Sequence, residues 1–186
     1  MDELAPLTAD VRPIALIGYR GTGKSSVAPL LARRLNWDWV DADVEIELQE
    51  GKSIAAIFAD EGEPRFRHLE ANVLAELCSR QRCVLALGGG AVLRETNRIH
   101  LQKCQTVAWL QASVDVLAER IFGDPTTAAR RPNLTNHGGR KEIEALLAAR
   151  EPFYRGCATL KVDTDNKRPS EIADEIIDGI LDKYVS

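Results

Sequence analysis

Gly18-Tyr19-Arg20-Gly21-Thr22-Gly23-Lys24-Ser25 fits the pattern G-x-x-x-x-G-K-S/T, in which the glycines let the backbone curl until successive N–H groups face one point. A helix starting at that loop adds the positive end of its dipole to the same place, and phosphate is the group such a place holds. On this reading Gly21, Thr22 and Gly23 supply backbone donors, Lys24 bridges the β and γ phosphates, and Ser26 assists by hydrogen bonding to phosphate. The Ser25 hydroxyl takes a position on Mg2+, which neutralises charge as the terminal phosphoryl group departs. The chemistry implied is binding of a nucleoside triphosphate with magnesium and movement of its phosphoryl group.

A metal held by one hydroxyl needs an acid nearby, and phosphate-binding loops of this kind are often served by an acid ending a neighbouring strand. Here the apolar run Cys83 to Leu87 ends in Gly88-Gly89-Gly90, and the run starting at Thr106 ends in Gln111. Asp41 and Asp43 fill the role instead, at the carboxyl end of a predicted second strand, the edge where open α/β sheets place ligands. Two carboxylates at i and i+2 on extended chain point the same way, so one can serve metal and the other substrate. The simpler alternative is that Asp43 caps a helix starting at Val44. Arg67, Arg150, Arg130 and Arg131 are each uninformative alone, because single arginines on helices or loops are usually solvated or ion-paired.

These residues need a frame. Pro13 to Ile17 is a short apolar run, and Ser26 to Leu35 repeats apolar residues at helical spacing, giving strand, loop and helix. Trp37 to Val40 reads as the second strand, Val44 to Glu50 as a helix stopped by Gly51, and Ser53 as the N-cap of another. Glu63 to Arg80 is a long amphipathic helix with Leu69, Val73, Leu74 and Leu77 as its buried stripe. Cys83 to Leu87 and Thr106 to Leu110 are continuous apolar runs, the mark of strands buried on both faces. Positions 123 to 139, rich in Pro, Thr, Asn and Gly, read as a lid. A helix over Arg140 to Tyr154, a strand over Ala158 to Val162 and a helix over Ser170 to Tyr184 complete an alternation that predicts an α/β sandwich around a parallel sheet with right-handed crossovers.

The chain of 186 residues is the size of one compact domain. Met1 to Pro13 does not read as a secretory signal; positions 1 to 12 are expected to form a flexible arm ahead of a single domain over 13 to 186. With 45% hydrophobic and 28% charged residues and no apolar run near roughly 18 residues, a soluble protein is expected and a membrane partner is not. A net charge of −4 gives no basic field for nucleic acid. Cys78, Cys83, Cys104 and Cys157 form no C-x-x-C pair, which fits reduced thiols in a cytoplasmic protein.

Taken together, Gly18 to Ser25, Asp41-Ala42-Asp43, Gly62 to Glu70, Gly88-Gly89-Gly90, Arg131-Pro132 and Arg150-Glu151-Pro152-Phe153-Tyr154 resemble the shikimate kinase family in order and spacing, from about Ile14 to Tyr184. The resemblance implies the three-layer fold of nucleoside monophosphate kinases, with five parallel strands in the order 2-3-1-4-5. It implies transfer of the ATP γ-phosphate to the 3-hydroxyl of shikimate, giving shikimate 3-phosphate and ADP on the way to chorismate and the aromatic amino acids. Asp43 would contact the reacting hydroxyl, Arg67 and Arg150 would grip the substrate carboxylate, and Gly88, Gly89 and Gly90 would approach the substrate by backbone, within a substrate-binding region of about 43 to 80. Asp41 would support magnesium. Arg131 would close over ATP from the lid, with Arg130 competing for that register, and Arg120 would neighbour adenine or phosphate. Lys167, Arg168 and Pro169 match the adenine-contacting loop, Lys167 and Arg168 competing for one role. The family points to a monomer. A kinase for gluconate or a related sugar acid on the same fold, or a catalytically silent nucleotide-binding module, are the alternatives; the latter would be expected to lack Lys24, Asp43 or an acceptor arginine.

Overall fold

The computed structural model describes residues 10 to 123 and 139 to 185. Five strands, β1 (Ile14–Ile17), β2 (Asp38–Asp41), β3 (Cys83–Ala86), β4 (Thr106–Gln111) and β5 (Leu160–Asp163), form one sheet. All neighbours are parallel and the order is β2-β3-β1-β4-β5. Among the described residues the helices are α1 (Lys24–Leu35), α2 (Ala42–Glu50), α3 (Ile54–Leu77), α4 (Glu95–Leu101), α5 (Val114–Gly123), α6 (Arg140–Cys157) and α7 (Pro169–Val185).

The apolar runs produce a sheet covered on both sides, because alternate residues of each strand enter different cores. Ala15, Ile17, Leu85, Val107 and Trp109 face one core with Ile46, Ile57, Leu74 and Tyr154. Ile14, Leu16, Val84, Ala86, Ala108 and Leu110 face the other, packed on Val27 and Leu31 of α1 and Ile172 and Ile176 of α7. Burying each Val, Leu or Ile side chain among these contributes roughly 1.5–3 kcal/mol before entropy is counted. No described helix is long and apolar enough to cross a membrane.

Several boundaries differ from the sequence reading. The first helix starts at Lys24 rather than Ser26, with Gly23 as its N-cap in the left-handed region. β2 runs one residue further, to Asp41, and the helix begins immediately at Ala42. Asp41 and Asp43 are therefore not two positions on one extended chain: Asp41 is the N-cap, its carboxylate accepting from the Asp43 N–H, and Asp43 lies in the first helical turn. The alternative in which Asp43 caps the helix does not hold either: the cap is Asp41, whose side-chain oxygen reaches a first-turn donor. Gly51 and Ser53 cap as expected, and α3 breaks direction at Gly62, separating its two predicted parts. α4, seven residues long, had no sequence assignment. α6 continues past Pro152 to Cys157, closed by the Ala158 N–H on the Tyr154 carbonyl at 2.9 Å, so β5 starts at Leu160 rather than Ala158.

Candidate active site

Parallel pairing aligns the carboxyl ends of β1, β2 and β3, so the chain leaving each strand meets at one edge: the loop from Gly18, Asp41, and the segment Leu87 to Gly90. A cleft of about 550 Å³ opens there. Arg20, Gly21, Thr22, Gly23, Lys24, Ser25 and Ser26 line it, together with Asp41, Asp43, Gly88, Gly89, Arg120, Lys167 and Pro169. Most of the residues picked from the sequence are brought to one place. Arg130, Arg131 and the lid positions 124 to 138 lie outside the described residues.

The loop is held by its own side chains. Gly18 sits at φ 138°, and a Cβ there would overlap the Leu110 carbonyl oxygen, so the strand can turn at this point only with glycine. Lys24 Nζ donates to the carbonyls of Gly18 and Tyr19, both at 2.8 Å, and the Thr22 hydroxyl donates to Tyr19 O at 2.8 Å. The ammonium thus sits at the centre of the curl, where a polyphosphate would arrive. Arg120 ties this loop to the far side of the sheet: its guanidinium donates to Gly21 O at 3.2 Å and to Thr164 O at 2.9 Å.

Ser25 and Asp41 meet directly. The Ser25 hydroxyl donates to Asp41 Oδ2 at 2.5 Å, while Asp41 Oδ1 accepts from the Asp43 N–H at 3.0 Å. Two hard oxygen donors side by side at the phosphate loop suit Mg2+, which prefers oxygen, keeps several waters and commonly takes only one or two protein ligands beside phosphate. A dedicated protein cage is not needed, and no cluster of three or more His, Cys, Asp or Glu side chains suited to a metal occurs among the described residues.

Arg67 and Arg150 stand beside the cleft rather than on its described lining. Arg150, 8% exposed on α6, donates from Nη1 to Gly89 O at 3.3 Å and lies over the Tyr19 ring. Arg67 packs against Gly90, and donates to Glu70 at 2.8 Å and Glu63 at 3.1 Å. Burial pulls the Arg67 pKa down, but the charge and hydrogen bond of Glu70, aided by Glu63, outweigh it and hold the guanidinium above its ordinary value. It is a permanent cation.

Lys167 and Pro169, two of the three residues matched to the adenine-contacting loop, line the cleft; Arg168 does not, and instead pairs with Glu171 on the surface. Sequence reasoning assigned no role to Glu47, which lines the cleft, to Tyr154, whose hydroxyl donates to Gly89 O at 2.5 Å, or to the approach of Arg20 to buried Glu142 at 4.0 Å. Arg20 occupies a variable position of the loop motif, so the motif itself did not point to it.

The family model for shikimate kinase matches residues 20–181. A shikimate kinase from Rhodopirellula baltica is 45% identical over 170 residues, covering 90% of this chain and 91% of that protein. One from Pseudomonas fluorescens is 42% identical, covering 91% and 96%. The solved structure of shikimate kinase from Acinetobacter baumannii in complex with shikimate superposes with a TM-score of 0.90 at 33% identity, over 97% of this chain and 99% of that one. With strand order, phosphate loop and sequence in agreement over nearly the whole length, the chain belongs to the shikimate kinase family.

Proposed function

We propose that this kinase moves the γ-phosphoryl group of ATP onto the 3-hydroxyl of shikimate, with donor and acceptor divided between the two halves of the cleft. The observation that carries the reading is that Asp43 and Gly89 line the same cleft as Lys24 and Ser25, with Arg150 on the Gly89 carbonyl. An acceptor lying on Gly89 has its hydroxyl within one cleft of the terminal phosphate, and alignment of that kind supplies most of the catalysis in phosphoryl transfer.

On the donor side, the backbone of Gly21 to Ser26 and the Lys24 ammonium bind the phosphates, Arg120 steadies the loop, and Lys167 with Pro169 borders the base. Ser25 and Asp41 would hold Mg2+, which supplies charge neutralisation on the phosphates when bound. On the acceptor side, Arg67 and Arg150 hold the carboxylate of shikimate, since guanidinium groups offer paired coplanar N–H donors to a carboxylate. Asp43 orients the hydroxyl and accepts its proton late, since phosphoryl transfer relies on alignment and charge stabilisation more than on strong base catalysis. Arg131 closes over ATP from the lid and helps exclude water. The reading is of a cytoplasmic monomer acting on small molecules.

The test is a coupled ADP-release assay with shikimate, with gluconate and with no acceptor. Turnover is expected to rise with shikimate alone. Stimulation by gluconate but not shikimate would overturn the acceptor assignment while leaving nucleotide binding intact.

A further inference from the structure

We infer that Tyr154 is a positioning residue for the acceptor half of the site, acting through the carbonyl of Gly89. Its phenol is fully buried and donates to Gly89 O at 2.5 Å. Arg150, one helical turn earlier on α6, reaches the same oxygen from Nη1 at 3.3 Å. The Tyr154 ring stacks on Trp109 of β4, with centroids 5.7 Å apart at 26°, so the sheet sets the height of the phenol. The next residue, Gly90, lies against the other arginine: a Cβ there would stand 2.5 Å from Arg67 Nη1. The segment held by Tyr154 is therefore the spacer between the two guanidinium groups.

The division of bonds at that carbonyl matters. A buried carbonyl must have a donor, and the short bond from the neutral phenol meets that demand. Arg150 is left with a contact beyond the usual 2.7–3.2 Å range, so the carbonyl does not depend on the guanidinium, and on the proposed reading its N–H groups serve a ligand carboxylate. Remove the hydroxyl and keep the ring, and the guanidinium becomes the nearest donor to Gly89 O. Arg150 is then drawn onto the protein, and the Gly89–Gly90 segment loses the tie that fixes its distance from Arg67.

This rests on the reading that Arg67 and Arg150 hold the shikimate carboxylate, so the experiment separates the two. Tyr154→Phe and Arg150→Met are assayed for KM of both substrates and kcat, with thermal midpoints recorded. Tyr154→Phe is expected to raise the KM for shikimate about tenfold, the size of one lost hydrogen bond near a charge, with kcat lowered less and the KM for ATP within about twofold. Arg150→Met is expected to raise the same KM by more. An unchanged shikimate KM in Tyr154→Phe beside a raised one in Arg150→Met overturns the role of Tyr154 and leaves the carboxylate reading standing. An unchanged shikimate KM in Arg150→Met overturns both. A parallel rise in both KM values of Tyr154→Phe, tracking a lower midpoint, identifies a purely structural residue and also overturns the inference.

Discussion

The Ser25 hydroxyl and the Asp41 carboxylate are joined by a 2.5 Å hydrogen bond that links the phosphate loop to the start of α2. The second oxygen of Asp41 caps that helix through the Asp43 N–H at 3.0 Å, so one side chain serves both the proposed metal position at Ser25 and the helix that carries Asp43. The two tasks separate by substitution. Asp41→Asn keeps an oxygen for the cap but loses the charge, and is expected to need about tenfold more Mg2+ for half-maximal rate with little change in melting temperature. Asp41→Ala loses both, and costs a further ~1 kcal/mol of stability. Magnesium titration of the rate and urea unfolding of each variant check this.

Lys24 and Asp43 are expected to fail in different ways. Lys24 Nζ bonds the Gly18 and Tyr19 carbonyls, and its loss removes both the proposed phosphate ligand and donors to the curl. Lys24→Ala should therefore weaken ATP binding and lower stability by about 1–3 kcal/mol. Asp43→Asn should retain ATP affinity and lose turnover by at least about a hundredfold. Equal loss of nucleotide affinity in both, measured by calorimetry, would contradict the division of labour.

How much of this was legible in the sequence depends on distance along the chain. The loop from Gly18 to Ser25 was fully legible because its chemistry is written in eight consecutive residues between a strand and a helix. The identity of Asp41 and Asp43 was legible too, but not their geometry: a chain passing from strand to helix within one residue leaves no pattern, so the acids read as neighbours on a strand rather than as a cap and a first-turn residue. The Tyr154–Gly89 bond spans 65 positions and has no local signature. α4 was missed because its seven residues are mixed in polarity, with only Asn97 and Leu101 buried.

The cysteines give a check on packing. Cys78, Cys83 and Cys104 are buried and Cys157 is half-buried, all as free thiols. Burial pushes the Cys83 thiol up to about 11 and raises Cys157 as well, which keeps both largely protonated near neutral pH. Native protein treated with iodoacetamide at pH 8 is expected to be modified slowly and at Cys157 first, and all four thiols should react in urea. Rapid native labelling of Cys83, read by mass spectrometry, would show that the start of β3 opens.

Tyr19 sets an alkaline limit. Burial raises its phenol above the ordinary 10.0, more than the nearby Arg20 and Arg150 cations lower it. The folded state therefore holds this proton more tightly than the unfolded chain. Its contribution is complete below about pH 10 and is lost as pH rises through the higher folded value. Stability measured by urea unfolding from pH 8 to 11 should fall more steeply at the top of that range in the native sequence than in Tyr19→Phe, whose curve lacks this proton.

Gly90→Ala tests the approach of the backbone to Arg67. The added methyl would meet Nη1 at 2.5 Å and Nη2 at 2.7 Å. It meets the far end of a side chain, so the main chain need not move. Glu63 and Glu70 hold the guanidinium in its present place by hydrogen bonds at 3.1 and 2.8 Å, so yielding to the methyl strains those bonds rather than the main chain. The fold should survive, while Arg67 turns away from the acceptor position. The KM for shikimate is expected to rise by about tenfold with the KM for ATP unchanged, since one charge-assisted hydrogen bond is at stake. If ATP binding suffered equally, the methyl would instead be pushing the Gly88–Gly90 segment toward the phosphate loop, where even a Cβ on Gly89 would crowd the Arg20 amide and the Gly18 carbonyl.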